Sequence, residues 1–208
     1  MVYSLVIGIL VSYLLGNLNG AVCISALMHD DVRSHGSGNA GLTNFIRNFG
    51  AGQALYVILI DAGKAVLACL VTGLLLEPYG MELEGKAIGG TAVMLGHIFP
   101  ALLGFKGGKG ILSGLFVGLL VDWRIGVAIL AVFLVAYLLT QYVSLGSVLG
   151  ALTFVVGFAV LHNKNLTVMV CGIFMGLLSV FMHRENIIRL LKGQERKTNL
   201  FGKGKKQA

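Results

Sequence analysis

The chain has 208 residues, a formal net charge of +7 and only 12% charged residues, against a hydrophobic fraction of 56%. A soluble domain carries roughly 25% charged residues and could not cover so much apolar surface, while disordered chains are poor in apolar side chains. Both classes are excluded, and residues 1–208 read as a single integral membrane domain with a mean hydropathy of +0.86.

A spanning helix needs about 20 mostly apolar residues. Seven segments are candidate spans: 2–28, 51–76, 87–105, Ile111–Val121, 125–140, 146–161 and 165–182. The first holds Asn17 and Asn19, which read as helix–helix glue. The second holds Asp61 and Lys64, an i,i+3 pair on one helix face; charges there are paired and turned toward protein. An ion pair is the favoured reading, and Lys64 in contact with substrate is the other. The fourth is only about 16 Å long at 1.5 Å per residue, so it must borrow flanking residues or lie against protein.

The expected fold is an all-α polytopic membrane protein of seven transmembrane helices, N-terminus outside and C-terminus cytoplasmic. That arrangement puts Arg33, Arg47, Lys106, Lys109 and the basic tail from Arg184 to Lys206 inside, and Lys86, Arg124 and Lys164 outside. Five crossings also satisfy the bias if the fourth and fifth segments both fail to cross; an even number does not. The positive excess therefore belongs to loops at a membrane surface, and no nucleic-acid partner is expected. No positive segment precedes the first apolar run, so no cleavable leader is expected. Cys23, Cys69 and Cys171 each lie in an apolar run without metal or redox spacing, so neither a metal nor a cofactor is expected.

Three polar motifs fall on the cytoplasmic side, where the chemistry is expected. The first runs from Arg33 to Arg47 and alternates Gly36, Gly38 and Gly41 with Ser37, Asn39, Thr43 and Asn44. Several backbone N–H groups can converge there on one anion, with Arg47 to complete a phosphate or carboxylate site. Thr43 or Asn44 can also cap the following helix. The second motif is Gly96-His97-Ile98-Phe99-Pro100, followed by Phe105-Lys106-Gly107-Gly108-Lys109-Gly110. Two lysines bracket a glycine pair, so backbone and cations can approach one oxyanion, although the spacing is not that of a Walker A loop. The third is split between Ser144-Leu145-Gly146-Ser147 and the run from His183 to Lys197, where His183, Asn186 and Arg189 or Leu190 share a helix face. A basic helix bound to anionic lipid suits the far tail better than His183 and Asn186.

Together these motifs resemble those of the bacterial acyl-phosphate:glycerol-3-phosphate acyltransferases, in order and over nearly the whole chain. Gly16-Asn17-Leu18-Asn19 stands where that family often has Ser and Pro. The resemblance implies a seven-helix enzyme of the bacterial plasma membrane with its active site facing the cytoplasm. Its substrates are acyl phosphate and glycerol 3-phosphate, its acyl tail lies between helices, and no obligate protein partner is needed. It also implies that Ser37, Arg47, His97, His183 and Asn186 are catalytic. Gly38, Asn39, Gly41, Thr43, Asn44, Lys64, Lys106, Gly107, Gly108, Lys109, Gly110, Ser144 and Ser147 then bind substrate. The other acyltransferase signature, His-x4-Asp, is absent at all five histidines.

A small organic-phosphate transporter is the rival reading, but it predicts related halves and polar groups at mid-membrane. A structural or adaptor protein leaves the glycine-rich loops unexplained. Because acyl phosphate is an activated mixed anhydride, direct transfer without an acyl-enzyme is expected, with Ser37 and Ser144 or Ser147 donating to phosphate. The proton acceptor is a phosphate oxygen, His97 or His183, and the sequence leaves that choice open.

Overall fold

The computed structural model describes residues 1–198 and is all helical. Its helices are α1 (Val2–Asn17), α2 (Gly20–Leu27), α3 (Leu42–Phe49), α4 (Ala54–Leu76), α5 (Glu82–Ile98), α6 (Ile111–Val121), α7 (Trp123–Thr140), α8 (Val143–Leu161), α9 (Leu166–Met182) and α10 (Arg184–Leu191). Lys203, Lys205 and Lys206 of the expected basic tail lie outside the described residues.

Four helices, α4, α5, α7 and α8, are each long and apolar enough to cross a membrane. Two bent pairs, α1 with α2 (42°) and α9 with α10 (54°), raise the number of candidate spans to six. The chain is thus an integral membrane protein with four to six candidate spans, where seven segments are expected from sequence. The difference is α6, which is apolar but falls short by length alone.

The helices hold together through small residues, as expected where lipid gives no hydrophobic drive between helices. α5 packs on both α1 and α4. A side chain at Gly16 would strike the Val93 carbonyl at 2.4 Å, and one at Gly96 the Tyr13 carbonyl at 2.1 Å. The outward faces carry large apolar residues such as Leu55, Leu59, Leu70 and Leu74 of α4. α6 packs between α4, α5 and α7, and α8 pairs with both α7 and α9. One apolar cluster, including Met94, Val117, Phe154, Phe158 and Met175, fills the middle. A second, around Phe45, Val32 and Val57, sits under the loop that leads into α3.

Candidate active site

The loop before α3 is tied by one buried side chain. Asn44 donates through Nδ2 to the carbonyls of Val32 (2.9 Å), His35 (3.1 Å) and Asn39 (3.1 Å), and its Oδ1 accepts from the Ser37 N–H (3.1 Å). Gly36 and Gly38 turn the chain there in the left-handed region, at φ +60° and +68°. Asn44 therefore organises the loop rather than capping α3. The cap is Gly41, which has no side-chain acceptor to offer, so the first N–H groups of α3 stay open at Leu42 and Thr43.

The glycine loop after α5 lies against His97. A Cβ on Gly107 would come within 2.0 Å of the His97 carbonyl, and one on Gly108 within 2.2 Å of His97 Nε2. The pair of glycines is needed for close approach to protein. Lys106 is exposed. Lys109 turns the other way: its ammonium meets Asn186 Oδ1, and its carbonyl accepts from Ser179 Oγ (3.1 Å). Burial, reinforced by the nearby Arg189 charge, lowers the Lys109 pKa to about 8.

His183 stands at the bend between α9 and α10, with Nδ1 2.8 Å from the Ser179 carbonyl. A carbonyl only accepts, so Nδ1 carries the proton and a neutral ring leaves the Nε2 lone pair free. The chain then doubles back. Glu195 accepts from Asn186 Nδ2 (2.9 Å) and Arg189 Nε (2.7 Å). Burial alone would push its carboxyl up, but the bonds from Arg189 and Asn186 and the nearby Ser144 hydroxyl hold it below the usual carboxylate value. Thr198 takes Arg47 Nε (2.7 Å), Arg196 lends its carbonyl to Arg47 Nη2 (3.0 Å), and Tyr137 Oη donates to the Thr198 carbonyl (3.0 Å). Residues 194–198 thus strap the mouth of the site. Burial lowers the Arg47 pKa, with Glu195 opposing.

These groups line a polar cavity of about 110 Å³ that includes Ser37, Asn39, Gly41, Thr43, Asn44, Arg47, Lys109, Ser144, Ser147, His183, Asn186, Arg189 and Glu195. The buried Ser144 hydroxyl faces it without a hydrogen bond of good geometry. Beside it is an apolar cavity of about 260 Å³, walled by Met94, Leu115, Phe133, Phe154 and Met175 and by Gly110, Gly114, Gly146, Gly150 and Gly176. Gly41, Leu42, Thr43, Ile111, Val143 and Ser147 line both.

Most residues singled out in the sequence therefore meet in one place, and five do not. Gly38, Lys64, Lys106, Gly107 and Gly108 line neither cavity, and His97 and Gly110 border only the apolar one. The Lys64 ammonium is spent within the protein, donating to Leu18 O (2.6 Å), Asp61 Oδ1 (2.7 Å) and His97 Nδ1 (2.7 Å). Glu195 and Thr198 went unnoticed in the sequence. The available signal was a lone acid, Glu195, within the basic run Lys192–Lys197. Among the described residues no three His, Cys, Asp or Glu side chains gather as a metal site.

A cation-rich polar cavity sharing lining residues with an apolar one, inside a helical membrane bundle, suits anionic amphiphiles and fits the class of membrane enzymes that act on them. A family model described as glycerol-3-phosphate acyltransferase matches residues 6–193. The glycerol-3-phosphate acyltransferases of Finegoldia magna and of Thermoanaerobacter sp. strain X514 are 39% and 38% identical to this chain. The first alignment covers 94% of this chain and 96% of the relative; the second covers 90% and 92%. The crystal structure of PlsY (YgiH), an integral membrane glycerol 3-phosphate acyltransferase, in its glycerol 3-phosphate form, superposes with a TM-score of 0.83. It is 31% identical and covers 96% of this chain and 100% of its own. The same protein's lysophosphatidic acid form gives 0.80 at 30% identity, covering 95% and 96%. The chain belongs to the glycerol-3-phosphate acyltransferase family.

Proposed function

We propose that this enzyme transfers an acyl group from acyl phosphate to the 1-hydroxyl of glycerol 3-phosphate, giving lysophosphatidic acid and phosphate for bacterial phospholipid synthesis. The observation that carries this reading is the shared wall of the two cavities. A fatty chain in the apolar cavity places its activated carbonyl near Ser147 and Thr43, where the polar cavity begins. Both substrates are phosphates, and the polar cavity supplies Arg47, Lys109, the open N-terminus of α3 and the Ser144 hydroxyl. A phosphate entering there displaces Thr198 from Arg47 and accepts from Ser37, Ser144 and Lys109.

The reaction needs positioning and charge stabilisation rather than a protein nucleophile. The 1-hydroxyl oxygen attacks the carbonyl carbon, the ester C–O bond forms, and the C–O bond to phosphate breaks with its electrons leaving on phosphate. His183 Nε2 takes the hydroxyl proton, and Asn186 orients the donor. His183 is favoured over His97 because the Nδ1 of His97 is already an acceptor for Lys64, which leaves its hydrogen on Nε2. Purified protein given both substrates should release phosphate and lysophosphatidic acid in equal amounts; release of neither would overturn the reading. Enzyme mixed with labelled acyl phosphate alone should show no acyl adduct by mass spectrometry, and a kinetically competent adduct would refute direct transfer.

Seven crossings, with the N-terminus outside and the site facing the cytoplasm, complete the proposal. At the end of the bundle away from the site, Asp122 after α6 meets His162 after α8 (3.2 Å), and Glu84 meets Asn165 (2.8 Å). This supports α6 as a short crossing between the two ends. In a cysteine-free background, a cysteine at Ser34 should be labelled only from the cytoplasm and one at Gly80 only from outside. Reversed labelling would overturn the orientation.

A further inference from the structure

Among the described residues, the most deeply buried charged side chains, Asp61 and Lys64, lie outside the polar cavity against the neutral His97 ring. Asp61, Lys64 and His97 are 2%, 3% and 4% exposed. Charges this deep are costly unless every donor and acceptor is matched, and they mark function by default. Here the matching partners point to a job. The first span breaks between α1 and α2, which frees backbone groups: the Leu18 carbonyl accepts from Lys64, and the Gly20 N–H donates to Asp61 Oδ1 (3.1 Å). The third Lys64 proton goes to His97 Nδ1 at 2.7 Å, which fixes the ring's tautomer and its plane. The Ser113 hydroxyl adds a bond to the Asp61 carbonyl (3.3 Å), linking α4 to α6 just beyond the glycine loop.

The other side of His97 carries that loop. Its carbonyl accepts from the Gly108 N–H at 3.1 Å, and Gly108 Cα lies so close to the ring that a Cβ would fall 2.2 Å from Nε2. The same Cβ would lie 2.9 Å from the Ala40 carbonyl, which is itself held by Asn19 Nδ2 (2.9 Å) from the break. The next residue is Lys109, whose ammonium faces the polar cavity.

We infer that His97 is a positioning residue: clamped by the Asp61–Lys64 pair, it forms the platform on which Gly107 and Gly108 lie, and so sets where Lys109 meets a substrate phosphate. It moves no proton. The inference rests on the proposed substrates only for its kinetic readout.

Two variants separate positioning from acid–base chemistry. His97→Asn keeps a side-chain acceptor for Lys64, whereas His97→Leu removes it. With Asn, KM for glycerol 3-phosphate should stay within about threefold of wild type. With Leu, KM should rise about tenfold or more while kcat stays within about threefold. Hydrogen exchange of a peptide covering 104–110 should quicken in Leu and not in Asn. That readout needs no turnover, so it tests the platform even if the substrate assignment fails, and wild-type inactivity would count only against that assignment. If the Leu variant does not fold, Asp61→Asn combined with Lys64→Gln removes both charges and should loosen the same peptide. A kcat loss of about a hundredfold in both His97 variants, or peptide exchange unchanged in all of them, would overturn the inference.

Discussion

Two clusters in this molecule each contain a histidine and a lysine, and they are built on opposite terms. Around Lys64 the partners are the Gly16 and Leu18 carbonyls, a carboxylate and a ring nitrogen, held by the broken end of α1 and by α4 and α5. Around Lys109 and Arg47 the partners are Asn186, Thr198 and a loop carbonyl, which belong to the last turns of the described chain. The first set cannot leave without breaking the bundle. The second is the set that, on the proposed reading, gives way to a phosphate. The helix-held partners of Lys64 make it part of the scaffold, whereas the less buried Lys109 and Arg47 are the cations that the proposed reading gives to phosphate.

The contrast is tested most severely by Lys64→Met. It strands Asp61 without its cation, and removing one member of a buried pair costs about 3–5 kcal/mol. Thermal unfolding in detergent should show that loss, and adding Asp61→Asn should restore most of it because the amide still accepts from the Gly20 N–H. Equal stability of Lys64→Met and wild type would show that the two clusters do not differ in kind.

Lys109→Met should behave in the opposite way. The fold should hold, and kcat/KM should fall by about 10²–10³-fold, the usual cost of removing one charge-stabilising donor from an active site. A stability loss as large as that of Lys64→Met, with kinetics little changed, would place Lys109 in the scaffold instead.

Gly108→Ala sits on the boundary between the clusters. The added Cβ collides with His97, so the loop must shift and carry Lys109 with it. KM for glycerol 3-phosphate should rise about tenfold, roughly 1.4 kcal/mol, with a smaller change in kcat. Unchanged kinetics for both substrates would separate the loop from binding.

The gentlest test uses pH. Lys109 is held down to about 8 by burial and by Arg189, so it is cationic below that pH and neutral above it. KM for the phosphate substrate should therefore climb as pH passes from about 7 to 9. The substrate's own second phosphate ionisation, near 6, is already complete. Lys109→Arg, with a guanidinium that stays charged beyond pH about 12, should flatten this limb. A limb that survives the substitution belongs to another group.

Composition and spacing were enough to establish a helical membrane protein and to place its polar chemistry in three motifs, because a bilayer forces apolar runs into helices and confines charges to loops or pairs. The motif residues Ser37, Arg47, Lys109, Ser144, His183 and Asn186 do meet at one cavity. What the glycine pair does was not legible. Gly107 and Gly108 suit a phosphate and a neighbouring ring equally well, and only the tertiary structure shows that they lie against His97. Lys64 was ambiguous for the same reason, since an i,i+3 partner does not exclude a ligand. The tertiary structure also supplied the hydrogen-bond partners from which the proposed duties of the two histidines follow. A ring nitrogen's duty follows from what its twin bonds to, and the carbonyl of Ser179 and the ammonium of Lys64 reach those rings only through folding. Glu195 and Thr198 belong to the same class. They lie far along the chain from Arg47, and neither an acid in a basic run nor a threonine at its end announces that the strap returns to the mouth of the site.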